Sequence, residues 1–406
     1  MYKRNLLNNN NSISKEIEKR LKNSLWDSLS TALPKDTLIV GGFVRDVILN
    51  KLPKKPDIDL VVKINPVNIA NKVAEEFKGK LIILDKKRNI VRIIFEEFIL
   101  DIAQQVGETL IDDLTSRDFT INSIAFSLDS GQIIDPTKGI PDLRKGLIRT
   151  CNFQNLLSDP LRMLRCFRFI SELNFAVDKS LFRYIKINKH KLISVSGERI
   201  QYELKRIFKG QNSFSTVQLI NKMEIFDWIQ SYRNFSLDSF KSKSFINTKI
   251  DSSEKYLVLF YLIETLDLPT VKKFKFSKSD IQNAIVLTKW RNRLNFQSID
   301  SLNEIERYDL HKDLEHILPS LIFYLPQRLQ SEWISRWQNK NDRLFHPKNI
   351  VNGELLKKYI NIQDGPLLGK LLKHLSIEFA YERLNTFDEA IYNAKQWFEQ
   401  NAPKCD

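Results

Sequence analysis

Apolar residues in the first third of the chain fall in short, β-branched runs at residues 37–40, 57–62, 80–84, 90–95 and 98–102, with helical spacing between them. Runs of this length predict strands, and strands interleaved with helices predict one mixed sheet. After about residue 147 the strand pattern stops. Apolar positions then recur at helical intervals over 161–210 and on to about 397, interrupted at Pro269, Pro319, Pro326 and Pro347. That predicts helices broken at the prolines. Residues 13–29 predict one amphipathic helix, with the Asn-rich patch ahead of it as a frayed lead-in. The run at 256–263 is too short to cross a membrane and predicts a buried helix. The expected fold class is α+β: a small N-terminal sheet domain followed by an all-helical remainder.

Candidate chemistry lies on the first two strands. Residues 38–46 (Leu-Ile-Val-Gly-Gly-Phe-Val-Arg-Asp) read as a strand, a glycine turn and a helix start; residues 56–60 (Pro-Asp-Ile-Asp-Leu) read as a strand with two carboxylates. Alternation along a strand sends Asp57 and Asp59 to one face. Such a pair suits a hard divalent cation such as Mg²⁺. Gly41 and Gly42 let the backbone approach a phosphate, the helix start offers free N–H groups, and Arg45 adds a forked donor. Asp101, closing an apolar strand, is the candidate third carboxylate of a two-metal site. Each feature has an ordinary alternative: a plain turn, a solvated carboxylate pair, a strand-end cap.

In this order, the segments resemble the first motif of the nucleotidyltransferase superfamily, in the form carried by class II (bacterial-type) tRNA nucleotidyltransferases and the related poly(A) polymerases. Residues 117–125 (Arg-Asp-Phe-Thr-Ile-Asn-Ser-Ile-Ala) resemble the family's second motif, with Ser116 where another arginine often stands. The resemblance implies that Arg117 contacts phosphate and that Asp118 and Asn122 position the ribose. At i, i+4 spacing those two share a helical face; the alternative is Asp118 as an N-cap and Asn122 as a surface residue. Residues 134–144 match the next segment, with Asp135, Gly139, Asp142 and Leu143 in place, and read as a structural brace.

Asp159, Arg162, Arg165 and Arg168 recur every third residue and make a stripe on one helix face, which alone is usually a solvated face with a capping Asp. The resemblance implies that Asp159 and Arg162 form a protein template for the base. The carboxylate accepts from the exocyclic amine of cytosine or adenine, and the guanidinium donates to the ring acceptors. Arg165 and Arg168 then brace the template or meet phosphate. Glu198 and Arg199 resemble the last shared motif, which implies ion-paired support.

The same resemblance implies a catalytic head over 1–148, a helical neck with the base template over 149–210, and an elongated helical body and tail over 211–406 that bind tRNA. Two Mg²⁺ ions would be held by Asp57, Asp59 and Asp101; Gly42, Arg45, Arg117, Asp118, Asn122, Asp159, Arg162, Arg165 and Arg168 would bind nucleotide. Members that add CCA or A carry an extended Gly-, Tyr- and Arg-rich loop before the second motif, whereas the connection here, residues 102–116, is short, as in CC-adding members. The expected activity is therefore addition of CC to tRNA 3′ ends from CTP, with no nucleic-acid template and a separate enzyme adding the final A. A full CCA-adding enzyme using CTP and ATP, a poly(A) polymerase, and a non-catalytic RNA-binding protein on the same fold are the alternatives.

Composition changes this picture little. A formal net charge of +14 suits a polyanion such as RNA, although an AT-rich coding sequence explains part of the lysine count. Basic-aromatic segments at 271–278 and 288–294 suit phosphate contact with stacking, or a solvated face over buried aromatics. Residues 365–372 resemble a C-terminal family feature at a helix start. Cys151, Cys166 and Cys405 lack metal-ligand spacing and cannot all pair, which implies a reducing cytoplasm, with no membrane partner expected.

Overall fold

The computed structural model describes residues 9–86, 88–229, 253–265, 267–296, 299–322 and 325–401. The chain forms two compact units, Met1–Trp228 and Ile229–Asp406. The helices expected as a neck thus fall in the same unit as the sheet.

The first unit is built on a seven-stranded sheet of order β3-β4-β5-β2-β1-β6-β7. Its strands are β1 (Leu38–Val40), β2 (Asp57–Val62), β3 (Lys80–Asp85), β4 (Ile90–Ile94), β5 (Ile99–Gln104), β6 (Ala125–Ser127) and β7 (Ile133–Ile134). β2 and β5 run parallel, and every other neighbouring pair is antiparallel. On one face Ile58, Leu60, Val91, Ile93, Leu100 and Ile102 are all buried, and α4 (Pro66–Glu76) covers it. The other face begins with Asp57 and Asp59 and continues into a buried patch of Leu38, Val40, Val61, Leu114 and Ala125. Period-2 alternation thus places apolar residues under a helix and carboxylates at the open end of the opposite face.

The N-terminal segment corrects the expectation of one helix. It forms α1 (Asn10–Leu21) and α2 (Ser24–Ala32). The Asn23 side chain accepts from the Trp26 N–H at 2.8 Å and starts the second helix there. Asn9 caps α1 in a capping box, so the Asn-rich patch holds a helix start rather than a frayed lead-in. Strands do persist beyond residue 147: β8 (Leu147–Ile148) and β9 (Ala176–Val177) form a parallel pair, each too short to show alternation in sequence. α6 (Gly139–Lys145) precedes β8, and α7 (Phe153–Ser158) and α8 (Leu161–Leu173) run between β8 and β9. After α9 (Lys179–Asn188), α10 (Gly197–Lys209) and α11 (Ser213–Lys222) pack against α8.

The second unit is helical throughout its described residues. The apolar run at 256–263 lies in the helix Ser253–Thr265, where Val258, Leu259, Tyr261 and Leu262 are buried as expected. Pro269 and Pro319 sit in the first turns of the helices Leu268–Lys273 and Leu318–Ile322, and Pro326 precedes Gln327–Gln338. These prolines start helices as well as end them, because a first-turn N–H has no partner to lose. Leu356, Leu371, Leu375, Ala390 and Ala394 form a core among the last three helices. No helix among the described residues is long and apolar enough to cross a membrane.

Candidate active site

Register builds the acidic corner. Asp59 and Asp101 are in-register partners on parallel β2 and β5, so both side chains leave the same face. Asp57 lies two residues before Asp59 on that face. Val40 pairs with Asp59, which brings the following Gly41–Gly42 turn beside the carboxylate. Gly41 has φ 72°, and a Cβ there would lie 3.3 Å from Arg117 Nη1 and 3.4 Å from Asp59 Oδ2. Only glycine combines that backbone with this approach. The α3 helix (Gly42–Ile48) starts at this turn. Burial, then the neighbouring Asp101 charge, pushes the Asp59 carboxyl up to about 6, against the opposing pull of Arg117. Neighbouring carboxylates on one face, Asp57 exposed and Asp59 half-buried, are the donor set that a hard divalent cation satisfies, so Asp57 and Asp59 fit that role.

Asp101 stands differently. Both its oxygens accept from Arg92 on β4, Nε to Oδ1 and Nη2 to Oδ2 at 2.8 Å each. Among the described residues no three His, Cys, Asp or Glu side chains form a ready metal-ligand group. The three carboxylates share a face, but the third is drawn to an arginine that the sequence reading did not single out. A lone charge inside the apolar strand 90–95 was the available signal; its cross-strand partner was not legible.

The arginines form a connected network. Arg45 donates to Asp46 at 2.8 and 3.0 Å and to Asn122 Oδ1 at 2.6 Å. Asn122 donates to Asp118 Oδ1 at 3.0 Å, and Asp118 Oδ2 accepts from Arg165 Nε at 2.8 Å. Burial works to raise the Asp118 carboxyl, but the Arg165 charge and hydrogen bonds from Asn122 and Arg165 hold it well below the usual carboxylate range. Asp118 and Asn122 meet as expected from their spacing, but not on an α-helix. Phe119 is extended and bridges to Thr150, and Thr120–Asn122 is a single 3₁₀ turn. Its geometry is locked from below: Thr120 Oγ1 donates to Asp142 at 2.7 Å, and Gly139 lies so close that a Cβ would meet the Thr120 carbonyl at 2.1 Å. The Asp135 carboxylate accepts from the Gly139 and Ile140 N–H groups at 2.6 and 2.9 Å. The segment at 134–144 is thus a brace under the second motif.

Arg117 donates through Nε and Nη2 to buried Asp113, at 3.1 and 2.9 Å, leaving Nη1 beside Gly41. The same Asp113 carboxylate accepts from the Val106 N–H at 3.0 Å, pinning the turn between β5 and α5 (Leu110–Thr115).

The helix stripe divides in two. Asp159, at the end of α7, accepts from Arg199 Nη2 at 2.8 Å. Arg162 Nη1 donates to the Ser116 carbonyl at 2.7 Å. Arg168 reaches Glu203 on α10 at 3.1 Å to each oxygen, deep in the core. Phe169 lies under the guanidinium groups of Arg45, Arg165 and Arg168, at 5.3, 5.8 and 4.5 Å from its ring centroid. Arg165 and Arg168 are therefore tied to protein carboxylates, the bracing arrangement, while Asp159 and Arg162 are each anchored at one side. Phe169 and Glu203 are further members that the stripe alone did not reveal. One cleft of about 670 Å³ is lined by all twelve candidate residues.

In the second unit, the basic-aromatic segments bury their aromatics. Phe274, Phe276 and Trp290 are buried, Lys289 pairs with Asp313, and Arg291 pairs with Glu264. Cys151 and Cys166 are unpaired thiols, and Cys405 lies outside the described residues.

The sheet, the braced 3₁₀ turn and the shared cleft define a nucleotidyltransferase-type head. Residues 37–149 match the family model described as poly A polymerase head domain, and 174–232 match the probable RNA and SrmB- binding site of polymerase A. The chain thus carries a poly(A) polymerase-type head domain and a following RNA-binding segment. It is 26% identical over 393 residues to a CC-adding tRNA nucleotidyltransferase of Synechocystis sp., covering 90% of this chain and 94% of that one. It is 28% identical over 312 residues to a CCA-adding enzyme of Oceanobacillus iheyensis, covering 73% and 72%. The fold matches the Thermotoga maritima CCA-adding enzyme complexed with tRNA with a TM-score of 0.73 at 22% identity, over 95% of this chain and 98% of that one.

Proposed function

We propose that the protein adds cytidines, the CC of the 3′-terminal CCA, to tRNA from CTP without a nucleic-acid template. One observation carries this reading: the acidic corner and the Asp159–Arg162 pair line a single cleft. That cleft lies within the size range of small-molecule sites. In the reaction the RNA 3′-oxygen bonds to the α-phosphorus of CTP, the bond to the β-phosphate breaks, and pyrophosphate leaves with the hydroxyl proton passing to solvent. Two Mg²⁺ ions, held by Asp57 and Asp59 with Asp101 as third carboxylate, would supply charge neutralisation for the triphosphate and acidify the attacking hydroxyl. The Gly41–Gly42 turn and Arg117 Nη1 face the phosphates; Asn122, held by Asp118 and Arg45, faces the sugar.

Asp159 and Arg162 read the base edge. Guanine and uracil present an oxygen where the amine should donate, which leaves Asp159 unpaired. Residues 1–148 act as the catalytic head, 149–210 carry the template, and 211–406 grip the tRNA in a reducing cytoplasm. The restriction to cytidine rests on rigidity. Asp159 and Arg162 are each anchored, and Asp113 pins the short turn where other members carry a long loop. A fixed pair suits one base size, so a separate enzyme would add the terminal A.

A full CCA activity is the second reading, favoured by the CCA-adding relatives. The test supplies purified protein with tRNA ending at the discriminator base, CTP and ATP singly and together, and sequences the 3′ ends. Termini ending in CC in every reaction that contains CTP are expected; efficient CCA termini would overturn the restriction.

A further inference from the structure

Arg92, Asp101 and Asp59 form a cross-strand row, because Arg92 pairs in register with Asp101 and Asp101 with Asp59. β4 and β2 lie on opposite sides of β5. Arg92 occupies both Asp101 oxygens with a two-point fork, the strongest geometry for an arginine and a carboxylate. The pair is only partly exposed, 32% for the Arg92 side chain and 16% for Asp101, so water screens it poorly. We propose that Arg92 is a built-in counter-cation: a positioning residue that holds both Asp101 oxygens from β4 and so sets how strongly the site takes a divalent cation. The inference rests on the metal-dependent reading above. It accounts for three carboxylates that share one face without forming a ready ligand group. In this arrangement the cation must compete with the guanidinium for Asp101, which keeps the acidic corner neutralised between turnovers.

The test measures Mn²⁺ binding to the full chain, without nucleotide, from the electron paramagnetic resonance signal of free Mn²⁺. Arg92→Gln is expected to bind Mn²⁺ about tenfold more tightly than the unmodified protein, and Arg92→Lys, which keeps the charge but loses the fork, to fall between them. Adding Asp101→Asn to Arg92→Gln cancels the gain. A purely structural arginine would leave affinity unchanged or weakened, and either result for Arg92→Gln and Arg92→Lys overturns the proposal. So does a gain that survives Asp101→Asn, since it would reflect overall charge alone. An unmodified protein that binds no Mn²⁺ overturns the metal reading itself, which separates the two failures.

Discussion

Asp59 carries the sharpest conflict between folding and function. Its carboxyl is pushed up to about 6, first by burial and then by Asp101. At neutral pH it is nevertheless ionised, against its surroundings. Keeping the carboxylate charged when folding has raised its pKa to about 6 costs on the order of 2–3 kcal/mol of stability. Asp59→Asn keeps the shape and removes the charge. It should therefore raise metal-free stability by about 2 kcal/mol in urea unfolding at pH 7.5 with chelator present. On the proposed reading, cytidine incorporation should fall by about a thousandfold or more, since the charge proposed to hold the cation is gone. Mg²⁺ should raise the midpoint of the unmodified protein and leave that of the variant unmoved, because only a ligand bound by the native state shifts it. A variant no more stable than the parent would sink the burial argument; retained incorporation would sink the assignment of Asp59.

At the scale of elements, α8 and α10 are joined by a buried charge pair rather than by apolar packing alone. Arg168 and Glu203 are both almost fully buried. Burial, with Arg165 next, brings the Arg168 guanidinium down to about 10, and burial raises the Glu203 carboxyl. Neither charge is comfortable without the other, so breaking the pair should cost more than the pair contributes. Glu203→Gln is expected to lose about 3 kcal/mol in urea unfolding. The double variant Arg168→Met, Glu203→Leu should recover most of that loss. If the double variant is as unstable as the single one, the pair is not the cause. This joint shows where sequence reading ends. The first five strands, the carboxylate pair and the three-residue arginine stripe were legible, because side-chain periods of 2 and 3.6 are written along the chain, whereas β6 to β9 are too short to show alternation. What Arg168 and Arg92 touch was not, since those partners come from α10 and β5, and register between elements leaves no local trace. The 3₁₀ turn at Thr120–Asn122 was missed for a related reason: the tight contact of Gly139 with Thr120 overrides the helical spacing of Asp118 and Asn122.

At the scale of the whole molecule, the two compact units have separate cores and should answer acid differently. The C-terminal unit buries His311 beside Trp333 and Phe345, with ring centroids 5.0 and 4.0 Å away. Its Nδ1 is buried with no hydrogen-bond partner among the described residues. Burial, followed by the Arg336 charge, brings the imidazole down to about 3, against the opposing influence of Asp342. The sign follows from proton uptake. Below about 6.5 the unfolded chain binds a proton that folded His311 refuses until about pH 3. Stability from this group is therefore complete above 6.5 and drains away as the pH falls towards 3, reaching a loss of about 2 kcal/mol at pH 5. Hydrogen exchange followed by mass spectrometry, in graded urea at pH 7 and 5, reads the two units separately. Helices Glu304–Leu314 and Gln327–Gln338 should lose protection at pH 5. His311→Phe, which keeps an aromatic ring in the stack, should remove most of that pH dependence. An unchanged pH response in His311→Phe would place the acid sensitivity on other groups, among them the general self-repulsion of a chain already carrying +14.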